Sequence, residues 1–519
     1  MPKKVISFTL IFFYVAILLA GTDQFEKRLQ QITGREPFKH AIFGIRFLSL
    51  ETKKPLYSMN ADKFFIPAST TKLITTGSAV ELFGPDHRFK TYVYRTGPIT
   101  SDGNLQGDLI LMASGDPNLS GRLTEDGTLA FENSDHSYGG EHSRGVAADP
   151  IKVIRNLAKQ VAEKNVKRIS GRVIVDASLF PQGERELGTG VVISPMVVND
   201  NVVDVLVAPG ASEKLPAVIT VSPVTSYVRV INKATTGTKD SQNDLRWDPE
   251  TENGDGSYTI TLAGTTPVGG SVVMFSYPVP DPARYGEVLF TEALRERGII
   301  ANPKLKEDVI DYKALSASYT TENRVAEHIS APMSEEAKVI LKVSQNLHAS
   351  MMPYLIGSLI AKKEVPQSGF DLMREFLTKA GLNVDGASQG DGAGGSANFT
   401  PEFMTNYLAY MSTTQYAHTF HDALPILGKD GTLFQIQVDS VAAGHVFAKT
   451  GTYTRSDPLH NGVMIDSKAL AGYMTTKSGK KIAFALFVNH VPVGLDPNAV
   501  RDVAGQAMGE IAAAAYEFL

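Results

Sequence analysis

Alternating and helical spacings of apolar residues predict a hairpin and a buried helix near the start of the chain. The run HAIFGIRFLSL, the polar turn ETKKP and the returning PLYSMN predict a β-hairpin over residues 40–60. In the next segment, IPASTTKLITTGSAVELFGP, apolar residues recur at helical spacing. Pro67 suits a first helical turn and Gly84-Pro85 ends the element, so this segment predicts a buried helix.

The rest of the chain divides into a β-rich middle and a C-terminal part that returns to strands. Between residues 91 and 280, short alternating runs such as GRVIVDAS and YTITLAG are separated by Gly, Asp and Asn clusters. Strand-like runs return in HVFAKTG, KALAGYMTT and KKIAFALFVNH, and the helical VRDVAGQAMGEIAAAAYEFL follows. We expect the first hairpin and these last strands to share one sheet, an arrangement that domain insertion permits. The prediction is an α/β (α+β) domain over residues 24–92 and 278–519, interrupted by a β-rich insert of two nested accessory domains over residues 93–277.

The first twenty residues have the pattern of a targeting segment. Lys3 and Lys4 precede an almost wholly apolar run, residues 5–20, after which the chain turns polar. This pattern predicts a secretory signal peptide over residues 1–20 and a secreted protein of the periplasm or cell envelope. A retained N-terminal anchor is the alternative, although the run is shorter than the roughly 20 residues that span a bilayer. We expect contact with a membrane to be at most peripheral.

Composition excludes several classes of chemistry. The 519 residues contain no cysteine, which excludes disulfides, thiolate nucleophiles, iron–sulfur clusters and cysteine-ligated zinc. The net charge of −5 gives no electrostatic reason to bind nucleic acid. With 43% hydrophobic residues the chain is able to bury large cores. Candidate chemistry therefore has to come from a few positions with other functional groups.

Three short motifs supply such groups: Ser69-Thr-Thr-Lys72, Ser344-Gln-Asn346 and Lys449-Thr450-Gly451-Thr452. S-x-x-K also occurs at residues 478–481 and S-x-N at residues 241–243 and 396–398, but these copies lie in polar or glycine-rich turns. Ser69 and Lys72 instead stand at i and i+3 at the start of the predicted apolar helix, which places both side chains on one face.

The residue types suggest a role for each position. A serine hydroxyl becomes a good nucleophile only when a neighbouring group accepts its proton. Lys72 is able to act as that base only if burial, or a second cation such as Lys449, favours its neutral form. The backbone N–H groups of Ser69 and Thr452 are candidates for an oxyanion hole. Ser344 is placed to relay a proton to a leaving amine.

The remaining motif residues suggest how a substrate binds. Lys449, Thr450 and Thr452 offer a positive charge and hydroxyl donors that suit a carboxylate. We therefore expect a substrate that ends in a free C-terminus. Asn346 is a candidate for orienting the amide on the acyl side of that substrate.

In this order the three motifs resemble the signature of penicillin-recognising serine enzymes. The long gap after the nucleophile helix is similar to that of the D-alanyl-D-alanine carboxypeptidase/endopeptidase family, the low-molecular-mass class C penicillin-binding proteins. Further stretches resemble that family: LFGPDHRFKT, GDLILMASGDPNL, GRVIVDASLF, VVNDNVVDV, LPILGKDGTL and AKTGTYT. One stretch departs from the family's usual D-G-S-G-L-S, because residues 391–396 read DGAGGS.

The resemblance implies a transpeptidase/β-lactamase-like fold, with a helical lobe on an antiparallel five-stranded sheet. It implies Ser69 as the acylated nucleophile, Lys72 as its base and Ser344 as a further catalytic residue, with Asn346, Lys449, Thr450 and Thr452 binding substrate. The function implied is a serine peptidase of peptidoglycan stem peptides and cross-links that is inhibited by penicillin and needs no cofactor or metal. The alternatives are a β-lactamase, or a non-catalytic wall-binding or sensor protein of the same fold.

Four competing signals predict ordinary surface structure. The G-x-S-x-G at residues 386–390 and the overlapping G-x-G-x-x-G at residues 390–395 lack the strand and helix that those motifs require. The first is therefore not expected to be a nucleophile elbow, and the second predicts a flexible turn. His418 and His421 indicate the surface of a helix. The acidic stretch EDGTLAFENSDHSYGGEH fits a calcium loop less well than a solvated excursion.

Overall fold

The computed structural model describes residues 21–141, 143–306, 308–496 and 498–519. The predicted signal peptide, residues 1–20, lies outside the described residues. The chain folds as two compact units, each assembled from separate segments. The first contains the described residues up to Pro85, then Ala337–Gln345 and Phe370–Leu519; the second contains Asp86–Glu336 and Asn346–Gly369.

The helices and strands are numbered in chain order. The helices are α1 (21–33), α2 (Thr71–Phe83), α3 (Lys152–Glu163), α4 (Pro282–Glu296), α5 (Tyr312–Leu315), α6 (Met333–Lys338), α7 (Asn346–Leu355), α8 (Pro366–Lys379), α9 (Pro401–Met411), α10 (Ala417–Asp422) and α11 (Gln506–Phe518). The strands of the first unit are β1 (Ile42–Ser49), β2 (Pro55–Met59), β18 (Ala387–Gln389), β19 (Ala397–Phe399), β20 (Val446–Asp457), β21 (Gly462–Thr475), β22 (Lys481–Asn489) and β23 (Val491–Val493).

The strands of the second unit carry the intervening numbers. They are β3 (Lys90–Arg95), β4 (Asn104–Leu105), β5 (Leu109–Met112), β6 (Arg168–Ile169), β7 (Val173–Asp176), β8 (Val202–Ala208), β9 (Val218–Ser222), β10 (Val228–Asn232), β11 (Thr235–Gly237), β12 (Arg246–Trp247), β13 (Thr251–Glu252), β14 (Tyr258–Ala263), β15 (Thr265–Pro267), β16 (Val273–Pro278) and β17 (Arg324–Ile329).

The sheet of the first unit joins the two ends of the sequence. Its strand order is β2-β1-β22-β21-β20, all neighbours are antiparallel, and β23 pairs with β21. Strands β1 and β2 form the predicted hairpin, and β1 pairs with β22 from Ile42 opposite Asn489 to Ser49 opposite Ile482. The prediction that the hairpin and the final strands share one sheet is confirmed.

A hydrophobic core on the first unit's sheet includes residues from both terminal helices. Phe25 of α1 packs edge-on against Phe47 of β1, and Phe47 stacks on Phe484 of β22. Ile511 of α11 belongs to the same fully buried cluster. Because α1 and α11 contribute their apolar faces to this core, they fix the position of the strands beneath them.

Helix α2 is buried almost throughout, as its apolar composition predicts. Gly77 lies at its closest approach to α9, where an added Cβ would stand 1.9 Å from Tyr407 Oη. The same tyrosine hydroxyl donates a hydrogen bond to the carbonyl oxygen of Leu73 at 3.1 Å. Glycine is therefore required at position 77, because any side chain would displace the tyrosine that holds the helix.

The second unit is rich in β-structure and has its own cores. One sheet has the order β17-β3-β5-β7, a second β16-β8-β9 and a third β10-β14-β12 with β13 beside β14. Helices α3 and α4 pack together and share a core with the first of these sheets, for example Leu157, Leu289 and Val175. Among the described residues of the chain, none of the helices has the length and apolarity needed to cross a membrane.

Candidate active site

Ser69 lies in a single turn of 3-10 helix, Ala68–Thr70, that leads directly into α2. The residue before it, Ala68, has a φ of 45°, a left-handed conformation that is rare for a non-glycine residue and common at functional sites. Lys72 is fully buried in the first turn of α2. Its Nζ donates a hydrogen bond to Ser69 Oγ at 2.8 Å. The predicted pairing of these two side chains is present.

Two glycines allow other segments to approach the Ser69 turn. An added Cβ at Gly451 of β20 would stand 2.4 Å from the carbonyl oxygen of Pro67, and one at Gly394 would stand 2.0 Å from that of Ala68. Gly394 also has a φ of +101°, which side chains other than hydrogen rarely adopt. The Ser69 turn therefore packs closely between β20 and the loop that contains Gly394.

The loop that departs from the family pattern is ordered by its first residue. The Asp391 carboxylate accepts hydrogen bonds from the backbone N–H groups of Ala393, Gly394 and Ser396 at 2.7, 2.5 and 2.5 Å. The hydroxyl of Thr75 in α2 donates to the carbonyl oxygen of Gly392 at 2.8 Å. The loop therefore keeps a fixed position against α2 although its sequence differs from the usual one.

Ser344 is presented by a strained backbone. It follows the π-helical turn Val339–Val343 and has a left-handed φ of 68°. Two residues earlier, Lys342 Nζ donates to Asp430 Oδ2 at 2.6 Å and to the carbonyl oxygen of Leu424 at 2.8 Å. These hydrogen bonds of Lys342 hold the segment before Ser344 in place and so fix the position of the Ser344 hydroxyl.

The hydroxyl of Ser344 joins the two buried lysines of the first and third motifs. Lys449 Nζ donates to Ser344 Oγ at 2.8 Å, and Lys72 Nζ lies 3.3 Å from the same oxygen. Lys449 is also bonded to the carbonyl oxygen of Thr450 at 2.8 Å. The structure thus brings Ser69, Lys72, Ser344 and Lys449 into one hydrogen-bonded chain. We call these four residues the serine–lysine chain.

Burial disfavours the charged forms of the lysines in the serine–lysine chain. Lys449 is completely buried, and this burial, together with the neighbouring ammonium groups of Lys72 and Lys468, lowers its pKa well below the usual range of a lysine. Lys72 and Lys449 contact the same hydroxyl, so their protonation is coupled. The pair releases a proton more readily than an isolated lysine does.

The two threonines of the third motif are bonded to residues that sequence analysis did not single out. Thr450 Oγ1 donates to Thr432 Oγ1 at 2.7 Å, and Thr452 Oγ1 accepts from Lys468 Nζ at 2.7 Å. Thr432 lies in the stretch LPILGKDGTL and Lys468 begins the strand-like run KALAGYMTT. Those stretches were the available signal, but their spacing does not indicate these contacts.

Asn346 is the first residue of α7 and belongs to the second unit. Its Nδ2 donates to Tyr138 Oη at 2.6 Å. An added Cβ at Gly188 would stand 2.3 Å from this nitrogen, so a side chain there would displace Asn346. Tyr138 was missed by sequence analysis, because only the tertiary fold brings it beside the second motif.

A buried ion cluster surrounds the beginning of α7. His348 Nε2 lies 3.0 Å from Asp200 Oδ1, and His348 Nδ1 lies 2.9 Å from Glu336 Oε1. Asp200 also contacts Arg122 and His136 at 2.7 and 2.9 Å. We call these five residues the Asp200 cluster.

Each charge of the Asp200 cluster has a partner of opposite sign, with Asp204 supplying a further carboxylate beside His136, which explains how they are buried together. Burial opposes the charged form of His348, but the carboxylates of Glu336 and Asp200 outweigh it and raise its pKa to about 9. Burial likewise opposes ionisation of Asp200, yet Arg122 and His348 hold its pKa well below the usual range. His348 is therefore an imidazolium at neutral pH.

The structure corrects the interpretation of the acidic stretch as a solvated excursion at residues 135–137, while several of its other residues are exposed. Asp135, His136 and Ser137 are buried, and His136 Nδ1 pairs with Asp204 Oδ2 at 3.0 Å. A partner supplied from a distant part of the chain allows this charged segment to enter the core.

Two other competing signals lie at the surface of the first unit. Residues 384–389 form a 3-10 turn and the short strand β18, and Ser388 in it is exposed. His418 is an exposed residue of α10 whose Nδ1 pairs with Asp422 at 2.8 Å. These segments contribute nothing to the serine–lysine chain.

Comparisons with known proteins cover most of the sequence. Residues 25–514 match the D-Ala-D-Ala carboxypeptidase 3 (S13) family. The chain is 28% identical over 495 residues to a D-alanyl-D-alanine carboxypeptidase of an Actinomadura species, covering 91% of this chain and 82% of that relative. It is 23% identical over 448 residues to the D-alanyl-D-alanine carboxypeptidase DacB of Haemophilus influenzae, covering 84% and 82%.

The fold has been seen in a solved structure. Penicillin binding protein 4 (dacB) of Haemophilus influenzae superposes with a TM-score of 0.71 at 20% sequence identity, covering 94% of this chain and 99% of that one. This similarity confirms the predicted fold class, a helical and antiparallel-sheet domain together with a large β-rich region. On the strength of the match over residues 25–514, the chain belongs to the D-Ala-D-Ala carboxypeptidase 3 (S13) family and is a serine-type peptidase.

Proposed function

We propose that this protein is a secreted D-alanyl-D-alanine carboxypeptidase and endopeptidase that acts on peptidoglycan through an acyl-enzyme on Ser69. The observation that supports the proposal most directly is the serine–lysine chain, with spacings of 2.8, 3.3 and 2.8 Å. A serine hydroxyl bonded to a buried amine is the arrangement that activates a nucleophile without histidine. The family membership makes peptide hydrolysis the reaction to which this arrangement applies.

Acylation begins at Ser69. Its oxygen attacks the carbonyl carbon of the penultimate D-alanine while its proton passes to the neutral amine of Lys72, at 2.8 Å. The backbone N–H groups of Ser69 and Thr452 stabilise the negative charge that develops on the carbonyl oxygen. Each such donor typically contributes about 3–4 kcal/mol to the transition state.

Ser344 carries the proton to the leaving group. Its oxygen accepts hydrogen bonds from Lys449 and Lys72, so its own proton is directed away from both amines. That proton passes to the departing amine, and Lys72 returns a proton to Ser344. The C–N bond breaks, the terminal residue leaves as an amine, and the acyl group remains on Ser69.

Deacylation reverses the roles with water. Lys72 accepts a proton from the water that attacks the ester carbonyl, and the same proton returns to Ser69 as the acid product leaves. The site therefore ends each cycle in its starting protonation state. No metal or cofactor takes part in this sequence of steps.

Substrate binding uses the third motif and Asn346. Lys449, Thr450 and Thr452 bind the terminal carboxylate of the substrate. The side-chain amide of Asn346, with its Nδ2 donor and Oδ1 acceptor, is suited to hydrogen-bond the substrate amide on the acyl side of the scissile bond. Because the departing amine belongs either to free D-alanine or to a cross-link, the proposal includes both carboxypeptidase and endopeptidase activity.

β-Lactams inhibit the enzyme by acylating Ser69, since they present a reactive amide and a carboxylate in the same order as the natural dipeptide. The Haemophilus influenzae penicillin binding protein 4 has been solved in complex with a β-lactam, at a TM-score of 0.69 and 20% identity. This neighbour supports the proposal through its fold.

The proposal predicts a covalent label at Ser69. The full-length protein is incubated with a fluorescent penicillin, and the adduct is located by peptide mass spectrometry. Ser69→Ala should abolish labelling, whereas Ser388→Ala, the exposed serine of the competing G-x-S-x-G pattern, should leave it unchanged. A label on another residue, or one that survives in Ser69→Ala, contradicts the proposed nucleophile.

Product analysis separates the alternatives. The purified protein should release D-alanine from a muramyl pentapeptide and convert cross-linked muropeptides to monomers. A β-lactamase would release the penicillin label within seconds, and a wall-binding or sensor protein would retain the label yet release no D-alanine. Either result would contradict the peptidase that we propose.

Secretion is tested separately. Residues 1–24 are fused to a reporter protein that is active only after export, and Lys3 and Lys4 are replaced by Glu in a control fusion. Export of the first fusion and loss of export in the control are expected. N-terminal sequencing of the exported full-length protein should begin near residue 21.

A further inference from the structure

We propose that Lys468 and Thr432 complete the site that binds the terminal carboxylate of the substrate, and that Lys468 is its specificity-determining cation. This inference rests on the proposed function, because it assumes a substrate with a free C-terminal carboxylate. Neither residue belongs to one of the three motifs. Their positions follow from the sheet and from the turn that lies beside it.

Strand pairing places Lys468 of β21 beside Thr452 of the third motif. Thr452 of β20 is directly opposite Lys468 of β21. Residues directly opposite each other in an antiparallel pair project from the same face of the sheet, with Cβ atoms about 5 Å apart. Lys468 Nζ consequently reaches Thr452 Oγ1 at 2.7 Å. Strand β20 ends the sheet path, so this pair stands at the edge of the sheet.

The hydrogen bond from Lys468 makes the Thr452 hydroxyl a better hydrogen-bond donor to an anion. A threonine hydroxyl has one proton to donate, and Thr452 Oγ1 accepts from the ammonium group rather than donating to it. The hydroxyl proton therefore remains available to a ligand. An ammonium group on the oxygen also polarises this O–H bond, which strengthens the bond it forms with a carboxylate.

Thr432 adds a second hydroxyl. Thr450 Oγ1 donates to Thr432 Oγ1 at 2.7 Å, and the proton of Thr432 is then available. Thr432 is held in a 3-10 turn, Gly431–Leu433, where an added Cβ at Gly431 would stand 2.7 Å from the carbonyl oxygen of Lys342. The turn thus packs on the segment that presents Ser344.

The charges around this site favour an anion. Lys449, Lys72 and Lys468 lie close enough that the latter two lower the pKa of Lys449. The nearby carboxylates are already engaged, since Asp430 pairs with Lys342 at 2.6 Å and Asp466 pairs with Arg455 at 3.0 Å. Because Lys72 acts as a neutral base and burial favours the neutral form of Lys449, Lys468 supplies the positive charge with which a substrate carboxylate pairs.

Lys468 also has the access that a ligand needs. Lys468 is half-buried, unlike the fully buried Lys72 and Lys449, and its burial lowers the pKa of its amine to about 8, which leaves it mostly an ammonium group at neutral pH. Lys72 and Lys449 are bonded to Ser69 and Ser344 and belong to the proton path. Lys468 therefore adds a cation to the carboxylate site of Lys449, Thr450 and Thr452, while Lys72 and Lys449 also take part in proton transfer.

The test compares an acid with its neutral analogue. Acylation of Ser69 is measured with a penicillin and with its methyl ester, which lacks the carboxylate charge. Peptide hydrolysis is measured with a peptide ending in D-alanyl-D-alanine and with its C-terminal carboxamide. Lys468→Gln should reduce kcat/KM for the two acids by about 10- to 100-fold, as expected for a charge-assisted hydrogen bond, and leave the neutral compounds nearly unchanged.

Two further variants separate recognition from structural support. Lys468→Arg keeps the positive charge and should recover most of the preference for the acid. Lys481→Gln removes an exposed lysine from the neighbouring strand β22 and should change nothing. Thr432→Val should reduce acid preference less than Lys468→Gln does, because it removes a neutral donor.

The outcomes distinguish this inference from the proposed function. If the Lys468→Gln variant loses activity equally on the acids and on their neutral analogues, the inference is overturned, because Lys468 would then only support the strand. An unchanged acid preference would overturn it as well. If wild-type Ser69 is labelled in those cases, the proposed function still stands; if wild-type Ser69 is never labelled, both proposals fail.

Discussion

Lys449 Nζ donates a hydrogen bond to Ser344 Oγ at 2.8 Å, although the two residues are 105 positions apart in the chain. Lys72 reaches the same oxygen from the helix that follows Ser69. The hydroxyl of Ser344 therefore couples two buried amines, and neither amine can change its charge without affecting the other. Four measurements test what this arrangement and its supports do.

Lys72→Arg should reduce the rate constant of Ser69 acylation by about a thousandfold or more, because a guanidinium cannot give up its proton to act as a base. The measurement is stopped-flow labelling with a fluorescent penicillin. Lys481→Arg serves as the control. Near wild-type acylation in a correctly folded Lys72→Arg, judged by thermal unfolding, would exclude Lys72 as the base.

Lys449→Gln should move the acid limb of the pH profile of acylation to higher pH. Removing the second cation removes the repulsion that favours a neutral Lys72, so a lower proton concentration is needed to deprotonate the base. The rate is measured with the neutral penicillin ester, so that carboxylate binding does not contribute. A profile with an unshifted acid limb would show that the two amines are not coupled.

Gly451→Ala should slow acylation by about a hundredfold, the cost of a displacement of about 1 Å in a reacting group. The new Cβ would stand 2.4 Å from the carbonyl oxygen of Pro67, so the Ser69 turn has to move away from β20. Gly494→Ala is the matched control, because no atom lies within 4 Å of its added Cβ. Equal rates in the two variants would show that the turn does not depend on this contact.

The Asp200 cluster should make stability depend on pH through His348. Its pKa is raised from 6.5 to about 9, so its contribution is fully present below about pH 6.5 and is lost as the pH rises through about 9. A shift of this size corresponds to about 3 kcal/mol in the free energy of unfolding. Denaturant unfolding of the wild type and His348→Gln is compared at about pH 6 and about pH 10.

The difference in stability between these two proteins should be large at the lower pH and small at the higher one. His418→Gln, which changes an exposed histidine of α10, should show no such dependence. A difference that stays constant with pH would mean that His348 contributes through packing and not through its charge.

The order of the three motifs, the hairpin over residues 40–60 and the helix after Ser69 could be predicted because each depends on neighbouring residues. Apolar periodicity, Pro67 and Gly84 act within one or two turns of the chain. The serine–lysine pair at i and i+3 is local in the same sense, and its 2.8 Å spacing agrees with that prediction. The left-handed Ala68 was not predicted, since the segments that pack against its turn, β20 and the Gly394 loop, are distant in the sequence.

The amino-acid sequence by itself determined which groups this protein has for chemistry, namely hydroxyls, amines, imidazoles and carboxylates but no thiol, and the helical and strand periods that carry them. Only the tertiary structure decided which charges are buried and what neutralises them. Lys468 beside Thr452 and Asp200 beside His348 are pairings between distant segments, and nothing in local spacing encodes them. The physical reason is that a buried charge is tolerated only with its partner, and the partner's position is set by the fold as a whole.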